Sequence, residues 1–461
     1  MKRAFPSSLK YSGDSIVYRS TKGIMKGLFV FGAILSMLCL RAFAAIPPAQ
    51  APKALSLQEC IDIAIAQNPD LKSAAATVDI LDARVIEAHA PLEPNLSAFY
   101  DWTHEHTPLG QPVITSTGKF QAQPETLDIY QDGLQLNQLI FDGQRDASLF
   151  HEAEAERDAQ LDVYQRLIQT ITFNVTQDYF QLIADRKLVD VAKENVKDNI
   201  DHLNLAKAGY RAGTQARADV IFAEVPVATA RLALTQAIET EQEAQASLNR
   251  LLAFNVNTRI DAADQLEETP YPITLDAASQ TALQYRFEIK QAQSLVRSAQ
   301  DQLAAANGLY WPVISGFADY GYTGYNATEI FPTSLGYSYG IQATFDIFDG
   351  NLREGEVSEA KATINQNLES LEATRQNVLL DVKNAYLAFF AAKQSVDEAT
   401  VEVAQANENV HLVEGQYKVG VVPILNLLDA EVEKITAEQH LIGALSSYQI
   451  AIGQLKLAMG K

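Results

Sequence analysis

The chain of 461 residues is one unit written twice. Ile140-Phe141-Asp142-Gly143 returns 207 residues later as Ile347-Phe348-Asp349-Gly350, and the same offset carries Tyr179 onto Tyr386, Tyr210 onto Tyr417, Gly213 onto Gly420 and Glu224 onto Glu431. A second offset, 218, carries Leu57 onto Leu275, Asp70 onto Glu288, Pro94 onto Pro312 and Phe99 onto Phe317. The first copy is therefore 11 residues longer between Phe99 and Ile140. A tandem repeat of this size requires both copies to adopt one supersecondary plan, and it permits the two to share a single architecture.

Each copy reads as a helix, two strands, a very long helix, a turn and a returning helix. Neither Pro nor Gly occurs from Gln144 to Ala208, or from Glu356 to Glu414. About 60 helical residues span roughly 90 Å, far beyond a globular helix. The apolar spacing of Tyr386, Phe389, Val396, Ala399, Val403, Ala406, Val410, Val413 and Tyr417 supplies a heptad seam for such a rod. Abundant Gln, Asn, Asp and Glu between those positions leave the other face to water. Pro226, inside the first returning helix, is expected to kink it.

The segments before the long helices alternate instead with period two. In 334–348, Leu335, Tyr337, Tyr339, Ile341, Ala343, Phe345 and Ile347 share one face, and Ser, Gly, Gln, Thr and Asp share the other. Residues 312–325 place Ile314, Ala318, Tyr320 and Tyr322 on one side; the first copy answers with Leu96, Ala98, Tyr100 and Trp102, then Tyr130, Leu134, Leu136 and Ile140. That pattern fits strands with lipid outside and water inside, carrying interfacial Tyr and Trp. Asp-Gly then breaks the strand and places negative charge at the start of the long helix. Four strands close no barrel, and open edges are not tolerated in lipid, so the chain must assemble with copies of itself.

The N-terminus reads as a secretory signal: a Lys after Met25, an apolar run Leu28–Leu40 and Ala42-Phe43-Ala44 before the cut, whether Met1 or Met25 starts the chain. Leu38 before Cys39 is too bulky for lipoprotein processing. Removal of residues 1–44 takes away seven basic residues and Asp14, leaving 29 basic and 56 acidic residues and a net charge near −27. Such a charge argues against a nucleic-acid partner. Cys60 alone remains of the cysteines, in an apolar helical stretch that suits a buried thiol. The mature part has no run of 18 apolar residues, so membrane entry is expected without a transmembrane helix.

Strand pairs, heptad hairpins, signal and the repeated Phe-Asp-Gly together resemble the outer membrane efflux protein family, the TolC-like outer membrane factors. Three stretches add to the resemblance: LSLQECIDIAIAQNPDL (55–71), YRAGTQARADV (210–220) and YKVGVVPILNLLDAE (417–431). It implies an α+β membrane protein whose long α-helical hairpins form an antiparallel coiled-coil tunnel in the periplasm. Four β-strands per chain would contribute to a trimeric, twelve-stranded outer-membrane β-barrel. The expected organisation is a signal peptide over 1–44, a first repeat over 45–254 with its strand pair at about 96–141, a linker over 255–274, and a second repeat over 275–461 with its strand pair at about 312–348.

The implied role is passive conduction in efflux or type I secretion, with a periplasmic membrane-fusion adaptor and an inner-membrane pump of RND, ABC or MFS type as partners. The adaptor-docking pattern matches Arg211, Ala212, Gly213 and Thr214, and Lys418, Val419, Gly420 and Val421. A tight reversal between antiparallel helices explains both glycines equally. Asn426 and Asp429 stand at two family Asp positions of the pore constriction, and Val422 stands where some members carry a gate Arg. A ring of Asp429 side chains would attract cations. Asp219, in the first turn, is a further gate candidate or an ordinary helix-start acid. No P-loop, HExxH or Ser/His/Asp arrangement suggests an enzyme, and no cofactor or metal is expected; His104 and His106 read as a solvated loop. The competing reading is a soluble periplasmic coiled-coil adaptor or structural rod, which leaves the paired alternating segments unexplained. Drugs, metal ions and polypeptides are equally open as cargo.

Overall fold

The computed structural model describes residues 54–107, 112–114, 120–122, 125–325 and 334–461. The expected signal segment, Cys39 and the choice between Met1 and Met25 lie outside the described residues. Strand β1 (Ala54–Leu55) leads into helices α1 (Leu57–Gln67) and α2 (Pro69–His89). Strands β2 (Asn95–Thr107), β3 (Pro112–Ile114), β4 (Phe120–Ala122) and β5 (Glu125–Phe141) follow, then helices α3 (Arg145–Arg211) and α4 (Arg217–Leu251). A short β6 (Asp261–Ala262) precedes the second round: α5 (Leu275–Tyr285), α6 (Phe287–Gly308), β7 (Val313–Tyr325), β8 (Ser334–Thr344), α7 (Leu352–Lys418) and α8 (Ile424–Ala458).

The single helix expected at the start of each copy is broken in two, and the break has a local cause. Pro69 has no N–H to donate and suits a first helical position, while the Asn68 side chain accepts hydrogen bonds from Asp70 N at 2.8 Å and Leu71 N at 3.3 Å. Asn68 Nδ2 also donates to the Leu251 carbonyl at the end of α4, at 3.0 Å. The second copy makes the same clamp with another side chain. Arg286, 4% exposed, donates to the carbonyls of Leu457 and Ala458 at the end of α8, at 3.3 and 3.2 Å. Both clamps satisfy carbonyls that a helix terminus leaves without an internal partner. The buried guanidinium also meets Asp381 at 2.8 Å and Glu288 at 3.1 Å, and Glu288 in turn meets Arg166 at 2.7 Å.

Around these clamps lie the two main cores. Cys60, Leu71, Val175, Tyr179, Leu182, Leu248 and Leu252 fill the first. Val382, Phe389, Tyr448, Ile452, Leu455 and Met459 fill the second, where the Phe389 and Tyr448 rings stand 5.6 Å apart. Burial pushes the Cys60 thiol up to about 12, with Glu59 and Asp264 adding to it, so the thiol stays protonated and packs as a small apolar group. Parallel pairing of β1 with β6 flanks the first core, and Tyr179 Oη, 2.9 Å from Leu55 O and 2.8 Å from Asp264 Oδ2, shares its one proton between these two acceptors.

Helices α3 and α7 are each 67 residues long, about 100 Å at 1.5 Å per residue. Phe389, Val396 and Ala399 of the α7 seam are buried, and its later members Val403 to Tyr417 are half-buried. Small residues such as Ala206, Ala223, Ala399 and Ala437 are buried along the long helices and allow close approach of their backbones.

Strands β2, β5, β7 and β8 form one antiparallel sheet in that order, so β2 and β8 are its edges. Strand β8 stops at Thr344, whereas the alternating pattern predicts a strand to Phe348. The equivalent stretch of β5 is a strand because it pairs with β7, through Gln138 with Gly316 and Phe141 with Ile314. Residues 345–348 pair with no strand among the described residues. His104 and His106 are strand residues of β2, not loop residues as the sequence suggests: His104 Nδ1 lies 2.7 Å from Asp128 Oδ1, and His106 Nδ1 lies 2.8 Å from Thr126 Oγ1.

Candidate channel wall and tunnel tip

The sheet separates its two faces by chemistry. On one face Leu96, Tyr100, Trp102, Leu134, Ile140, Tyr320, Tyr337, Tyr339 and Ile341 are all exposed, with Tyr339 at 79%. Tyr130 to Ile140 covers ten residue steps of β5, about 33 Å along a strand and about 25 Å at a 40° tilt, the height of a lipid-facing band. Asp132, between Tyr100 and Tyr322, interrupts this face near its outer end. The opposite face carries Ser97, Asp101, Thr103, Gln131, Gln135, Asp319, Ser338 and Gln342, and Ser338 Oγ donates to Asp319 at 3.0 Å. Two phenylalanines also lie on that polar face, each across a glycine. A Cβ at Gly133 would stand 3.2 Å from the Phe99 ring, and one at Gly340 2.9 Å from the Phe317 ring, so glycine makes room for each ring on the wall.

The Asp-Gly sequence converts strand to helix by a specific turn. Gly143 and Gln144 both have positive φ, 74° and 65°, as do Gly350 and Asn351, 73° and 71°. Two successive left-handed residues reverse the chain, and the preceding aspartate caps the new helix. Asp142 accepts from Arg145 N at 3.1 Å and Asp146 N at 2.7 Å; Asp349 accepts from Asn351 N at 3.1 Å and Arg353 N at 3.2 Å. A carboxylate there satisfies orphan N–H groups and complements the helix dipole. Gly143 also touches the second repeat, where a Cβ would come 2.6 Å from the Gly308 carbonyl oxygen.

The far ends of the hairpins are two turns of one type. Gly213 and Gly420 have φ of 77° and 75°, and nothing lies within 4 Å of a Cβ built on either. Thr214 N donates to Gly209 O at 3.0 Å and Val421 N to Gln416 O at 2.9 Å, the six-to-one bonds that close a helix after a left-handed glycine. Arg211, Ala212, Gly213, Thr214, Lys418, Val419, Gly420 and Val421 are all exposed. Lys418 pairs with Glu414 at 2.6 Å. Gln215 Nε2 donates to Tyr417 Oη at 2.6 Å, joining the two turns. Beneath it Ala206, Ala223, Ile424 and Leu428 form a small core between the hairpins.

The three gate candidates stand apart from one another in chemistry. Asp429 and Asn426 are exposed on α8, and Asp429 makes no hydrogen bond or ion pair among the described residues. Asp219 is half-buried and accepts from Ala216 N at 3.0 Å, so it caps α4. Sequence reading did not find the seam just above them. His202 of α3 lies 3.5 Å from Glu431 of α8, both largely buried, and Glu194, Asp198, Lys434 and Glu438 flank the pair. Burial pushes the Asp198 carboxyl up, with Glu431 and Glu194 reinforcing and Lys434 and His202 opposing; burial likewise raises Glu438. Its signal in the sequence was only i, i+4 spacing of Glu194, Asp198 and His202 on one helix face.

A group raised on folding contributes fully below its unfolded pKa, and the contribution is lost as pH rises through the raised folded value. Asp198 and Glu438 therefore favour the α3–α8 seam most while protonated, and that contribution is lost as they ionise above the ordinary carboxylate range. Asp198→Asn should raise the melting temperature at neutral pH and flatten its decline with pH. A pH profile identical to that of the unaltered chain would contradict this.

Residues 60–253 and 278–461 match the outer membrane efflux protein family. The chain is 24% identical over 417 residues to the probable efflux pump outer membrane protein TtgC of Pseudomonas putida, covering 88% of this chain and 83% of that one. It is also 24% identical over 460 residues to the outer membrane protein TolC of Escherichia coli, covering 93% and 85%. The solved structure of the Campylobacter jejuni CmeC outer membrane channel has the same fold, with a TM-score of 0.77 at 17% identity over 88% of this chain and 85% of that one. With both repeats matched, the chain belongs to the outer membrane efflux protein family.

Proposed function

We propose that the chain is the outer-membrane channel of a tripartite efflux or type I secretion system. It would conduct substrates passively from an inner-membrane pump and a periplasmic adaptor across the outer membrane, and would itself be no enzyme. The observation that carries this reading is a four-stranded sheet, apolar on one face and polar on the other, joined through capped hinges to two helical hairpins whose long arms are about 100 Å. Three copies would give twelve strands, enough to enclose an aqueous lumen, and the hairpins of those copies would continue it through the periplasm. The organisation proposed is a signal peptide over 1–44, repeats over 45–254 and 275–461, and a linker between them. An adaptor or structural rod has no use for an apolar row of Tyr, Trp and Leu at this exposure.

At the tip, the exposed turns around Gly213 and Gly420 are proposed as the adaptor-docking points, because their outward backbone is free of side-chain cover. Gly420→Trp should abolish export while leaving the assembly intact on a native gel; normal export in that variant would remove the turn from docking. Asp429 is proposed as the acidic gate residue, its charge unpaired among the described residues. Asn426 would contribute no charge, and Asp219 serves first as a cap. In planar-bilayer conductance, Asp429→Ala should weaken cation preference; unchanged selectivity would place the constriction elsewhere.

A further inference from the structure

The polar face of the sheet is not uniform. Phe99 on β2 stands opposite Gly133 on β5, Gly133 opposite Gly321 on β7, and Gly321 opposite Gly336 on β8, so one row across all four strands holds a single side chain, the phenylalanine. With strands about 4.8 Å apart, the glycine part of the row is about 10 Å wide. Phe99, 36% exposed, raises the wall at one end of it. Gln131 and Thr323 stand one pleat outward, Asp319 and Ser338 one pleat inward, and the recess between them measures about 350 Å³.

Packing accounts for two of these glycines but not for the third. A Cβ at Gly133 would stand 2.7 Å from the Tyr320 carbonyl oxygen, and one at Gly321 would stand 2.9 Å from Gly133 Cα, so the close approach of β5 and β7 requires both. Nothing lies within 4 Å of a Cβ built on Gly336. The repeat does not call for this open floor either. β2 pairs with β5 in the same register as β7 with β8, and that register puts Ile129 at the position equivalent to Gly336 and Thr103 at the position equivalent to Gly321.

The charge around the recess is of one sign. None of β2, β5, β7 and β8 contains Lys or Arg, whereas Asp101 and Asp319 lie on the polar face, each two residues from the row. Asp319 accepts from Ser338 Oγ at 3.0 Å, and a carboxylate has room for several further donors. A bare backbone floor, an aromatic ring at its end and a carboxylate at its side match a flat organic molecule that carries positive charge.

We infer that this recess binds aromatic cations, the ring of the ligand lying over Gly321 and Gly336 against Phe99 and its charge directed at Asp319. This rests on the reading of the polar face as a channel lumen, and it gives that lumen a preferred class of cargo.

The test is planar-bilayer recording from the full-length chain, with benzyltrimethylammonium as the probe, tetramethylammonium as a cation without a ring and benzenesulfonate as an aromatic anion. Benzyltrimethylammonium should reduce the single-channel current at lower concentration than either of the others. Phe99→Ser and Gly336→Val should each raise its half-blocking concentration about three- to tenfold and leave that of tetramethylammonium unchanged. Gly336→Val fills the recess where a Cβ meets nothing, so its result stands even if Phe99→Ser fails to fold. Asp319→Asn should weaken block by both cations about two- to fivefold. Phe317→Ser should change neither, because Gly340 and Asn137 flank that ring in place of the glycine row. Pores blocked equally by the two cations, or blocked as strongly in Gly336→Val as in the unaltered chain, would overturn the recess and leave the channel reading standing. An unaltered chain that opens no pore would remove both.

Discussion

Inside a bilayer no water is present to bond a free N–H or C=O, so a sheet that enters lipid must have both edges paired. The four strands of this chain meet that requirement internally at three joints and leave it open at β2 and β8. Each unpaired group in hydrocarbon costs several kcal/mol, more than the packing of the outward Tyr and Leu rows supplies per residue. The lone chain is therefore incomplete as a membrane structure.

The hinge converts that membrane constraint into a periplasmic rod. At Asp142-Gly143 and Asp349-Gly350 the chain leaves the sheet, takes two left-handed residues and enters a helix whose first N–H groups the aspartate satisfies. The rod then needs lateral support at intervals rather than one globular core. Two clusters around Tyr179 and Phe389 hold its middle, and a third, smaller one around Ala206 and Leu428 holds its tip. Between them the seam is polar and ionisable, with His202 and Glu431 largely buried and Asp198 half-buried. The tip, held by the smallest of these clusters, is the least supported part of the hairpins.

Local chemistry was the legible part of the sequence. The alternation of Leu335 to Ala343, the heptads of α7, the glycine turns and the Asp-Gly breaks all act within a few residues, and all appear where the pattern places them. Contacts distant in sequence were not legible. Asn68 and Arg286 clamp carbonyls 183 and 171 residues away, and neither residue type announces that partner. Asp219 was ambiguous because a gate acid and a helix cap look alike until its bond to Ala216 N is seen. The end of β8 was overextended because alternation records the face a residue will show in the assembly, not the pairing one chain can supply.

The central claim is that this chain is an integral outer-membrane channel subunit. The most direct measurement is fractionation of cells expressing the full chain, followed by alkaline extraction of the separated outer membrane. Retention in the outer-membrane pellet, with chemical cross-linking giving a trimer, is the result this account predicts. Release into the soluble fraction would mean that the apolar rows of the sheet face another protein rather than lipid, and the account would be wrong at its foundation.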